Sequence, residues 1–456
     1  MNIETITKIQ RDFFQTGITL TYAYRKSMLE KLYNGIIKYQ DRIIEALQKD
    51  LGKSDIESIL TEIWMVLAEI RFHQKHLKRW MKKKRVRTSL VLKPGKSYLI
   101  DSPLGINLII SPWNYPFHLA ILPLVGAISA GNTVVLKPSS QSFHTSKVIK
   151  KLCDELFSYN YITCFLGDHK LTDSLLEQDF DHIFFTGSPQ IGSMIMAKAS
   201  KNLTKVTLEL GGKSPAIIHH ETRLNSIIPR IVFGKWLNAG QTCVAPDYLI
   251  CPEKLYEESI KLLKHYINEF FPNSLENLQY PHIISRRHFN RLINLLNNEE
   301  IIFGGFYNEE SLKIAPTIIK IKDLNSPLMK EEIFGPILPI ITYQNEDEIT
   351  NIINLNPNPL AFYVFSENKL FNNRMLYQHQ FGGACVNDTI SHLISHHLPF
   401  GGVKTSGQGQ YHGYESFKCF SHQKSVYIKH PRLELKLKYP PYSKWTIKII
   451  KKYFTK

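Results

Sequence analysis

The chain has 456 residues, 43% of them apolar and 21% charged, which is typical of a globular protein with a sizeable buried core. This length predicts two or three domains. The six cysteines form no C-x-x-C pair, so we expect a reducing compartment rather than a disulfide framework or a cysteine-ligated zinc site. No signal-peptide pattern opens the sequence, and the longest apolar run, 117–130, is too short to span a bilayer. These features predict a cytoplasmic protein.

The formal net charge of +16 comes from two segments. Residues 75–96 hold ten lysines and arginines and no acid, and residues 424–456 hold ten against a single acid. The rest of the chain is therefore slightly acidic. A charge of this size would favour nucleic acid as a partner, but no nucleic-acid-binding motif accompanies the two segments. We expect no such partner and interpret the segments as solvated surfaces.

In chain order, apolar residues at helical spacing predict helices over most of residues 1–85. Five β-forming segments then alternate with helical stretches, at 106–110, 133–136, 161–166, 182–186 and 205–210. This alternation predicts a parallel sheet with crossover helices, the usual architecture of a nucleotide-binding domain. A second α/β region is expected from 212 to about 400, and beyond 413 a short β-rich segment precedes a terminal helix.

Two residues with catalytic chemistry lie in the stretch 205–245. Glu209 ends an apolar strand that Gly211 breaks, and burial there would raise the pKa of its carboxyl and make it a base near neutrality. Cys243 follows a glycine turn on a loop, where a ligand can reach it. A thiol with a carboxylate predicts covalent catalysis that water completes. The alternative is a solvated strand-end acid and a small packing residue.

The motifs around these residues resemble the aldehyde dehydrogenase superfamily, in particular its class-3 branch. LELGGKSP and NAGQTCVAPDY carry Glu209 and Cys243 at the family's separation of 34 residues. SPWNYPFHL, VVLKPSS, FTGSPQIG, EEIFGP and LPFGGVKTSG occur in the family's order. The resemblance covers nearly the whole chain.

The resemblance implies an α/β fold with three parts. A Rossmann-type cofactor domain is expected over 1–81 and 104–211, and an α/β catalytic domain over 212–419. A small β bridging domain, which pairs subunits into a homodimer, is expected over 82–103 and 420–456. Its parts largely coincide with the two basic segments.

The resemblance also implies roles for particular residues. Cys243 is the nucleophile, Glu209 the base that activates water, and Asn114 the side-chain donor to the oxyanion. NAD or NADP is the cofactor, and the residues assigned to it are Trp113, Lys137, Ser140, Gly187, Ser188, Gly192, Glu332 and Phe334. Tyr115 and Trp236 are expected to line the approach of an aliphatic or aromatic aldehyde. His392, His396 and His397 have metal-compatible spacing but no acidic partner, so no metal is predicted.

Ser140 departs from the family pattern, which usually has glutamate at this position to accept from the adenosine ribose. Because a serine does not repel a 2′-phosphate, we expect use of both cofactors or a preference for NADP. The tail also allows two interpretations. Thr446, Ile449, Ile450, Tyr453 and Phe454 share one helical face, which either contacts an anionic membrane peripherally or packs on the partner subunit.

The sequence thus predicts an NAD(P)-dependent aldehyde dehydrogenase that forms carboxylic acids. Two rival hypotheses remain. One is an enzyme that passes the thioester to coenzyme A, against which the intact Glu209 argues. The other is a catalytically idle scaffold, which the presence of base, nucleophile and oxyanion donor disfavours.

Overall fold

The computed structural model describes residues 2–434 and 438–454. They form two compact units. The larger comprises the described residues up to 80 together with 103–421, and the smaller comprises 81–102 together with the described part of 422–456. The predicted boundary between a cofactor and a catalytic domain at 211–212 stays a prediction. It falls between the last parallel strand of one sheet and the first strand of another.

Helices and strands alternate along most of the described chain. The helices are α1 Ile3–Gln15, α2 Tyr22–Leu51, α3 Asp55–Ser58, α4 Trp64–Trp80, α5 His118–Ala130, α6 Phe143–Leu156, α7 His169–Leu176, α8 Pro189–Ala199, α9 Leu224–Trp236, α10 Tyr256–Phe270, α11 Arg286–Asn294, α12 Pro327–Lys330, α13 Glu346–Asn354, α14 Lys369–Gln378, α15 Tyr414–Cys419 and α16 Lys444–Phe454. The strands are β1 Lys84–Val86, β2 Lys96–Pro103, β3 Ile106–Ile110, β4 Thr133–Lys137, β5 Ile162–Cys164, β6 His182–Gly187, β7 Lys205–Leu210, β8 Pro215–Ile218, β9 Tyr248–Pro252, β10 Glu300–Phe303, β11 Tyr307–Asn308, β12 Lys313–Ile314, β13 Thr317–Lys320, β14 Ile337–Tyr343, β15 Ala361–Phe365, β16 Gly383–Val386, β17 Gly407–Gln408 and β18 Ser421–Ile428.

The first sheet of the larger unit has the order β17-β7-β6-β3-β4-β5. Its strands are parallel except β17, which pairs antiparallel with β7. The chain moves outward from β3 through β4 to β5, then returns to the other side of β3 with β6 and β7. This reversal leaves a crevice at the carboxyl ends of β3 and β6, where doubly wound sheets bind ligands.

The second sheet of the larger unit has the order β10-β13-β14-β9-β8-β15-β16. It is parallel except for β10 at one edge. The two sheets confirm the predicted α/β class with parallel strands. Within this second α/β region the β-forming stretch 314–321, which the sequence predicts as one strand, is interrupted: Lys313–Ile314 pairs with β11, and Thr317–Lys320 joins the large sheet.

Burial explains why these strands and the helix between them form. Every residue of β3 and β4 is buried, as expected for parallel strands covered on both faces. Helix α5, which joins them, is buried on all sides, which confirms that the run 117–130 is a core helix rather than a membrane span. No helix among the described residues has the length and apolarity needed to cross a bilayer.

The smaller unit contains a three-stranded sheet with the order β1-β2-β18. Tyr427 donates a hydrogen bond from its hydroxyl to the carbonyl of Leu92 at 2.6 Å, and Gln423 donates to Asp101 at 3.0 Å. Side chains of β18 therefore hold this strand both to β2, through Asp101, and to the loop between β1 and β2, through Leu92.

Candidate active site

The carboxyl ends of β3, β6 and β7 open onto a cavity of about 590 Å3. Eight of the residues singled out in the sequence contribute to its wall, namely Trp113, Asn114, Gly187, Ser188, Glu209, Cys243, Glu332 and Phe334. They come from five separate segments of the chain. The fold thus brings the nucleophile, base and oxyanion donor of the sequence hypothesis to one cavity.

Five other sequence-predicted residues lie outside the wall of this cavity. Lys137 is buried at the end of β4, and Ser140 is exposed three residues later. Gly192 is buried in α8 against Leu210, where a Cβ would lie 2.7 Å from Cδ2 of that leucine. Tyr115 is buried behind the cysteine loop, and its hydroxyl shares a hydrogen bond with Thr242 at 2.7 Å. It is thus a support for the loop.

The fifth residue, Trp236, does not lie where a substrate contact requires. Its side chain is fully buried, and its indole N–H donates to the carbonyl of Pro336 at 2.9 Å. The geometry contradicts the assignment to the substrate approach. The physical reason is that Trp236 is the last residue of α9 and its side chain packs into the core. The chain turns after this residue, before it reaches Cys243.

A left-handed turn sets the position of the cysteine. Asn238, Ala239 and Gly240 have φ values of 54°, 51° and 73°, in the region that side chains disfavour. Gly240 has a further constraint, because a Cβ on it would overlap the carbonyl oxygen of Gly335. The turn therefore requires glycine at this position, and it delivers Cys243 to the cavity.

The thiol of Cys243 is electrostatically disfavoured as a thiolate. Burial, and after it the carboxyl groups of Glu332 and Glu209, together raise its pKa to about 12. Backbone N–H groups of Cys243 and Val244 act in the opposite direction. In this arrangement the resting side chain is a neutral thiol at neutral pH.

Glu209 is an uncompensated buried carboxyl. It is 2% exposed, and neither of its oxygens has a hydrogen-bond partner in the described structure. Burial raises its pKa well above the ordinary value. A carboxyl with free lone pairs next to a thiol can take a proton from a water molecule that enters the cavity.

Hydrogen bonds hold both the side-chain amide and the backbone carbonyl of Asn114. Its amide donates to the carbonyl of Gln241 at 3.0 Å, and its own carbonyl accepts from Asn238 at 2.9 Å and from Lys53 at 3.1 Å. These bonds tie the loop after β3 to the turn before Cys243. An amide N–H group and the thiol are therefore kept at the same wall.

A buried ion pair supports this loop from behind. Lys53 and Glu62 are fully buried with 2.6 Å between Nζ and Oε1, and Nζ also lies 3.9 Å from the centre of the Tyr115 ring. The other oxygen of Glu62 accepts from the N–H groups of Phe117 and His118 at 3.1 and 2.9 Å. Nζ of the lysine and the second carboxylate oxygen thus both contact residues 114–118.

A second buried pair holds the loop on the opposite side of the cavity. Lys213 contacts the carboxylate of Asp247 and donates to the carbonyls of Leu328 and Glu331 at 2.7 and 3.0 Å. The other oxygen of Asp247 accepts from the N–H of Ile333 at 3.0 Å. The segment that carries Glu332 and Phe334 is therefore fixed by Lys213 of the LELGGKSP motif and Asp247 of the NAGQTCVAPDY motif.

Glu332 and Phe334 face the cavity from this segment. Burial raises the pKa of Glu332 to about 8, while a hydrogen bond from the Gly212 backbone opposes the shift. Phe334 has a φ of 51° and meets the Trp113 ring edge-on, with 5.4 Å between centroids. His288 lies 5.0 Å from the same tryptophan ring.

Comparison with known proteins agrees with this geometry. The aldehyde dehydrogenase family model matches residues 2–426. The chain belongs to the aldehyde dehydrogenase family. It is 44% identical to 4,4'-diaponeurosporen-aldehyde dehydrogenase of Staphylococcus aureus, over 97% of each chain. It is 41% identical to a mouse aldehyde dehydrogenase named dimeric and NADP-preferring, over 96% of this chain and 98% of that one.

A solved structure shows the same fold. The substrate-bound state of Staphylococcus aureus AldH superposes with a TM-score of 0.97 at 44% identity, and the match covers 100% of both chains. These relatives confirm that the chain is an oxidoreductase acting on aldehyde groups with NAD or NADP. Within this family, the coenzyme A hypothesis concerns the fate of the thioester. The scaffold hypothesis concerns whether this particular chain is active.

The cavity fits a dinucleotide cofactor of this family. Thr186 Oγ1 is buried in the wall without a hydrogen-bond partner in the described structure, beside Gly187 and the start of α8. Ser188, Pro189 and Gln190 at the N-terminal end of that helix contribute to the same wall, and the N-terminal end of a helix attracts phosphate. Gly211 allows the Glu332 carboxylate to approach its backbone, where a Cβ would overlap it.

Several functional residues escape sequence reasoning. His288 and Arg291 reach the cavity from α11, in a region without a recognisable motif. From the sequence alone, Lys53 and Glu62 would be expected to lie at the surface, as most charged residues do. The three histidines with metal-compatible spacing are not brought together: His392 faces Cys385 at 3.2 Å, whereas His396 faces Glu69 at 2.8 Å.

Proposed function

We propose that this aldehyde dehydrogenase oxidises aldehydes to carboxylic acids with Cys243 as nucleophile, Asn114 as oxyanion donor and Glu209 as base. One observation carries the proposal. A thiol, an anchored amide and a carboxyl with two unpaired oxygens share the wall of one cavity. The residues proposed to hold the cofactor are Trp113, Gly187, Ser188, Glu332 and Phe334 in that wall, with Lys137, Ser140 and Gly192 in the adjoining crevice.

In the first step the Cys243 thiol gives up its proton to solvent, and its sulfur bonds to the aldehyde carbon. The carbonyl oxygen becomes an oxyanion, which accepts hydrogen bonds from the Asn114 amide and the backbone N–H of Cys243. A preorganised donor of this kind lowers the barrier by roughly 3 kcal/mol. When bound, the nicotinamide cofactor supplies the acceptor for the hydride that leaves this carbon.

In the second step Glu209 takes a proton from water, and the resulting hydroxide attacks the thioester carbon. The carbon–sulfur bond breaks, the carboxylic acid departs, and the Cys243 thiolate takes the proton from Glu209, which restores the resting thiol and the ionised base. Only the ionised form of Glu209 can act as the base. Because burial raises its pKa, hydrolysis becomes faster as the pH rises through this raised pKa.

We propose medium- to long-chain aliphatic or aromatic aldehydes as substrates. Leu119, Phe400 and Tyr411 form an apolar part of the cavity wall, and the last two rings lie 5.7 Å apart. The name of the relative at 44% identity refers to a carotenoid-derived aldehyde, which is likewise large and apolar. Such walls contact hydrocarbon and offer no partner for a charged tail.

Formation of reduced cofactor from hexanal, with and without coenzyme A, tests the proposal. The wild type should be active without coenzyme A, and Cys243→Ala should be inactive. Cys385→Ala is the matched control, because this cysteine is also partly exposed but lies outside the cavity wall. Activity that requires coenzyme A would support the acylating rival, and no activity under either condition would support the scaffold.

We further propose dual cofactor use or a preference for NADP. Ser140 is exposed just beyond Lys137, so a 2′-phosphate placed there meets no carboxylate at this position. The relative named NADP-preferring supports this choice. The test is kcat/KM for both cofactors in the wild type, in Ser140→Glu and in Gln141→Glu, which adds the same charge at the next exposed position. A strong preference for NAD that Ser140→Glu leaves unchanged would refute it.

For the assembly we propose a homodimer, which the name of the dimeric relative supports. Sedimentation equilibrium should give twice the mass of one chain, and a single-chain mass would contradict it. The cytoplasmic location stays a prediction. The tail suggests an anionic membrane as a second candidate partner. Trp445 and Tyr453 of α16 are 65% and 70% exposed, and lysines lie beside them in the sequence.

The apolar face of α16 differs from the predicted one. Thr446 is buried, whereas Ile450 is exposed together with Trp445 and Ile447. The side chain of Phe454 lies outside the described residues. We propose peripheral contact of the exposed face with anionic lipid, where each lysine near the surface adds about 1 kcal/mol. Anionic vesicles should sediment more full-length protein than a 1–443 truncation, and equal sedimentation would rule out this contact.

A further inference from the structure

We propose that the turn after β8 binds a divalent transition-metal ion, with Zn2+ as the best match. His219, His220 and Glu221 each offer a ligand atom, and these three atoms lie within 4.8 Å of one another. None of the three residues contributes to the wall of the active-site cavity. The site is thus separate from the proposed catalysis and departs from the prediction that the chain holds no metal.

One ring nitrogen of each histidine faces Glu221. His219 Nδ1 lies 3.9 Å from Oε2 of this glutamate, and His220 Nε2 lies 3.8 Å from Oε1. Zinc binds imidazole nitrogen and carboxylate oxygen at about 2.0–2.2 Å, so ligand atoms of a tetrahedral ion are about 3.4 Å apart. The Glu221 side chain is 61% exposed and can rotate to shorten its distances to both histidines by about half an ångström. The two histidine nitrogens lie within 4.8 Å of each other, and rotation of the partly exposed His220 ring brings them to the separation that a tetrahedral ion requires.

The other ring nitrogen of each histidine faces a second carboxylate. Oε1 of Glu346 lies 3.1 Å from His219 Nε2 and 3.4 Å from His220 Nδ1. Its second oxygen contacts Arg374, which keeps the carboxylate charged and in place. Metal-binding histidines commonly donate their remote N–H to a carboxylate in this way. The hydrogen bond to Glu346 puts a proton on His219 Nε2, and the nearby Glu346 charge favours a proton on His220 Nδ1, which leaves the lone pair of His220 Nε2 toward Glu221. The lone pair of His219 Nδ1 accepts a long hydrogen bond from the backbone N–H of Glu221 at 3.5 Å, which the ion would replace.

The turn itself is held by its own hydrogen bonds. The backbone N–H of His219 donates to the Phe365 carbonyl at 3.0 Å, and the Thr222 hydroxyl donates to the same carbonyl at 2.7 Å. The His219 ring is buried and lies 4.4 Å from the Phe371 ring. The first ligand is therefore fixed before an ion arrives, while the exposed Glu221 leaves a path for entry.

The donor set identifies the class of ion. Two imidazoles and one carboxylate suit Zn2+, Co2+, Ni2+ or Cu2+, whereas Mg2+ and Ca2+ prefer oxygen ligands alone. Three protein ligands leave the fourth tetrahedral position to water.

Titration with Co2+ tests the site through its visible absorption. We use tag-free, full-length protein in a Cys243→Ala background, so that the active-site thiol cannot bind the probe. One Co2+ per chain should bind with imidazole-type bands. His220→Ala should weaken binding at least tenfold, and Glu346→Gln should weaken it about tenfold through the outer carboxylate. His220 is partly exposed, so its replacement should leave the metal-free melting temperature unchanged.

The matched control is His265→Ala, because His265 forms an exposed pair with Glu269 at 3.4 Å but has no third ligand. This variant should bind Co2+ like its parent. Zn2+ should raise the melting temperature of the parent and of His265→Ala, but not of His220→Ala. The proposal is overturned if the parent shows no saturable site, or if His265→Ala and His220→Ala weaken binding equally.

Discussion

Replacing Lys53 with methionine should destabilise the protein far more than the loss of one ion pair at the surface. Methionine keeps most of the side-chain volume but removes Nζ, which lies 2.6 Å from Glu62 and 3.1 Å from the Asn114 carbonyl. The Glu62 carboxylate then stays fully buried without its counter-charge. Breaking a buried pair in this way costs about 3–5 kcal/mol.

Lys49→Met is the matched control. Lys49 and Glu45 are also 2.6 Å apart, but their side chains are 52% and 61% exposed. An exposed helical pair of this kind contributes little to stability, because water already solvates both charges. Guanidinium midpoints of the two variants, measured against the wild type, should therefore differ clearly. Equal shifts would refute the view that the Lys53–Glu62 pair supports the Asn114 loop.

The pH dependence of the Lys53→Met deficit provides a second check. Burial raises the pKa of Glu62, and Lys53 acts against this shift. Without the lysine the pKa of Glu62 in the folded state rises further above its value in the unfolded state. Glu62 therefore stays protonated to a higher pH in the folded protein than in the unfolded chain. Stability is then lost as the pH rises from the unfolded pKa toward the folded one. The deficit should be larger at pH 8.5 than at pH 5.5, and a deficit independent of pH would contradict this mechanism.

Three further predictions concern the active site. Asn114→Ala should slow the first appearance of reduced cofactor by roughly 10²–10³-fold in stopped-flow assays, because it removes an oxyanion donor; an unchanged rate would exclude that role. Gly240→Ala should lower the melting temperature more than Gly17→Ala, since both glycines have φ near 74° but only Gly240 abuts a backbone carbonyl; equal shifts would count against the turn. Glu332→Gln should lower the pKa of Cys243 and speed its alkylation by iodoacetamide above pH 8, where Glu332 is ionised in the wild type; matching pH profiles would disprove this coupling.

The sequence predicts the strands and the cavity wall well because both leave strong local signals. Strands β3, β4 and β6 are buried on both faces, so they appear as unbroken apolar runs. The residues that follow such strands meet at one edge of the sheet, which is why Asn114 and Gly187 could be assigned to one site. Strand order, however, depends on contacts between distant segments.

Other features depend on geometry that local patterns do not encode. Trp236 is only seven residues from Cys243, yet three left-handed residues between them turn the chain and separate the two side chains. Lys53 and Glu62 look like surface residues until the fold buries them as a pair. The three consecutive residues His219, His220 and Glu221 match no standard metal-binding spacing, and Glu346, which orients the two imidazoles, is more than a hundred residues away.

The most direct test of the proposed mechanism is the pre-steady-state course of reduced-cofactor formation from hexanal in Glu209→Gln. If Cys243 attacks first and Glu209 is needed for hydrolysis, this variant should give a burst of one equivalent per active site. Its steady state should then be roughly 10²–10⁴-fold slower than that of the wild type. Cys243→Ala should give neither phase. Loss of the burst in Glu209→Gln would contradict the account, since the carboxylate would then be needed before hydride transfer.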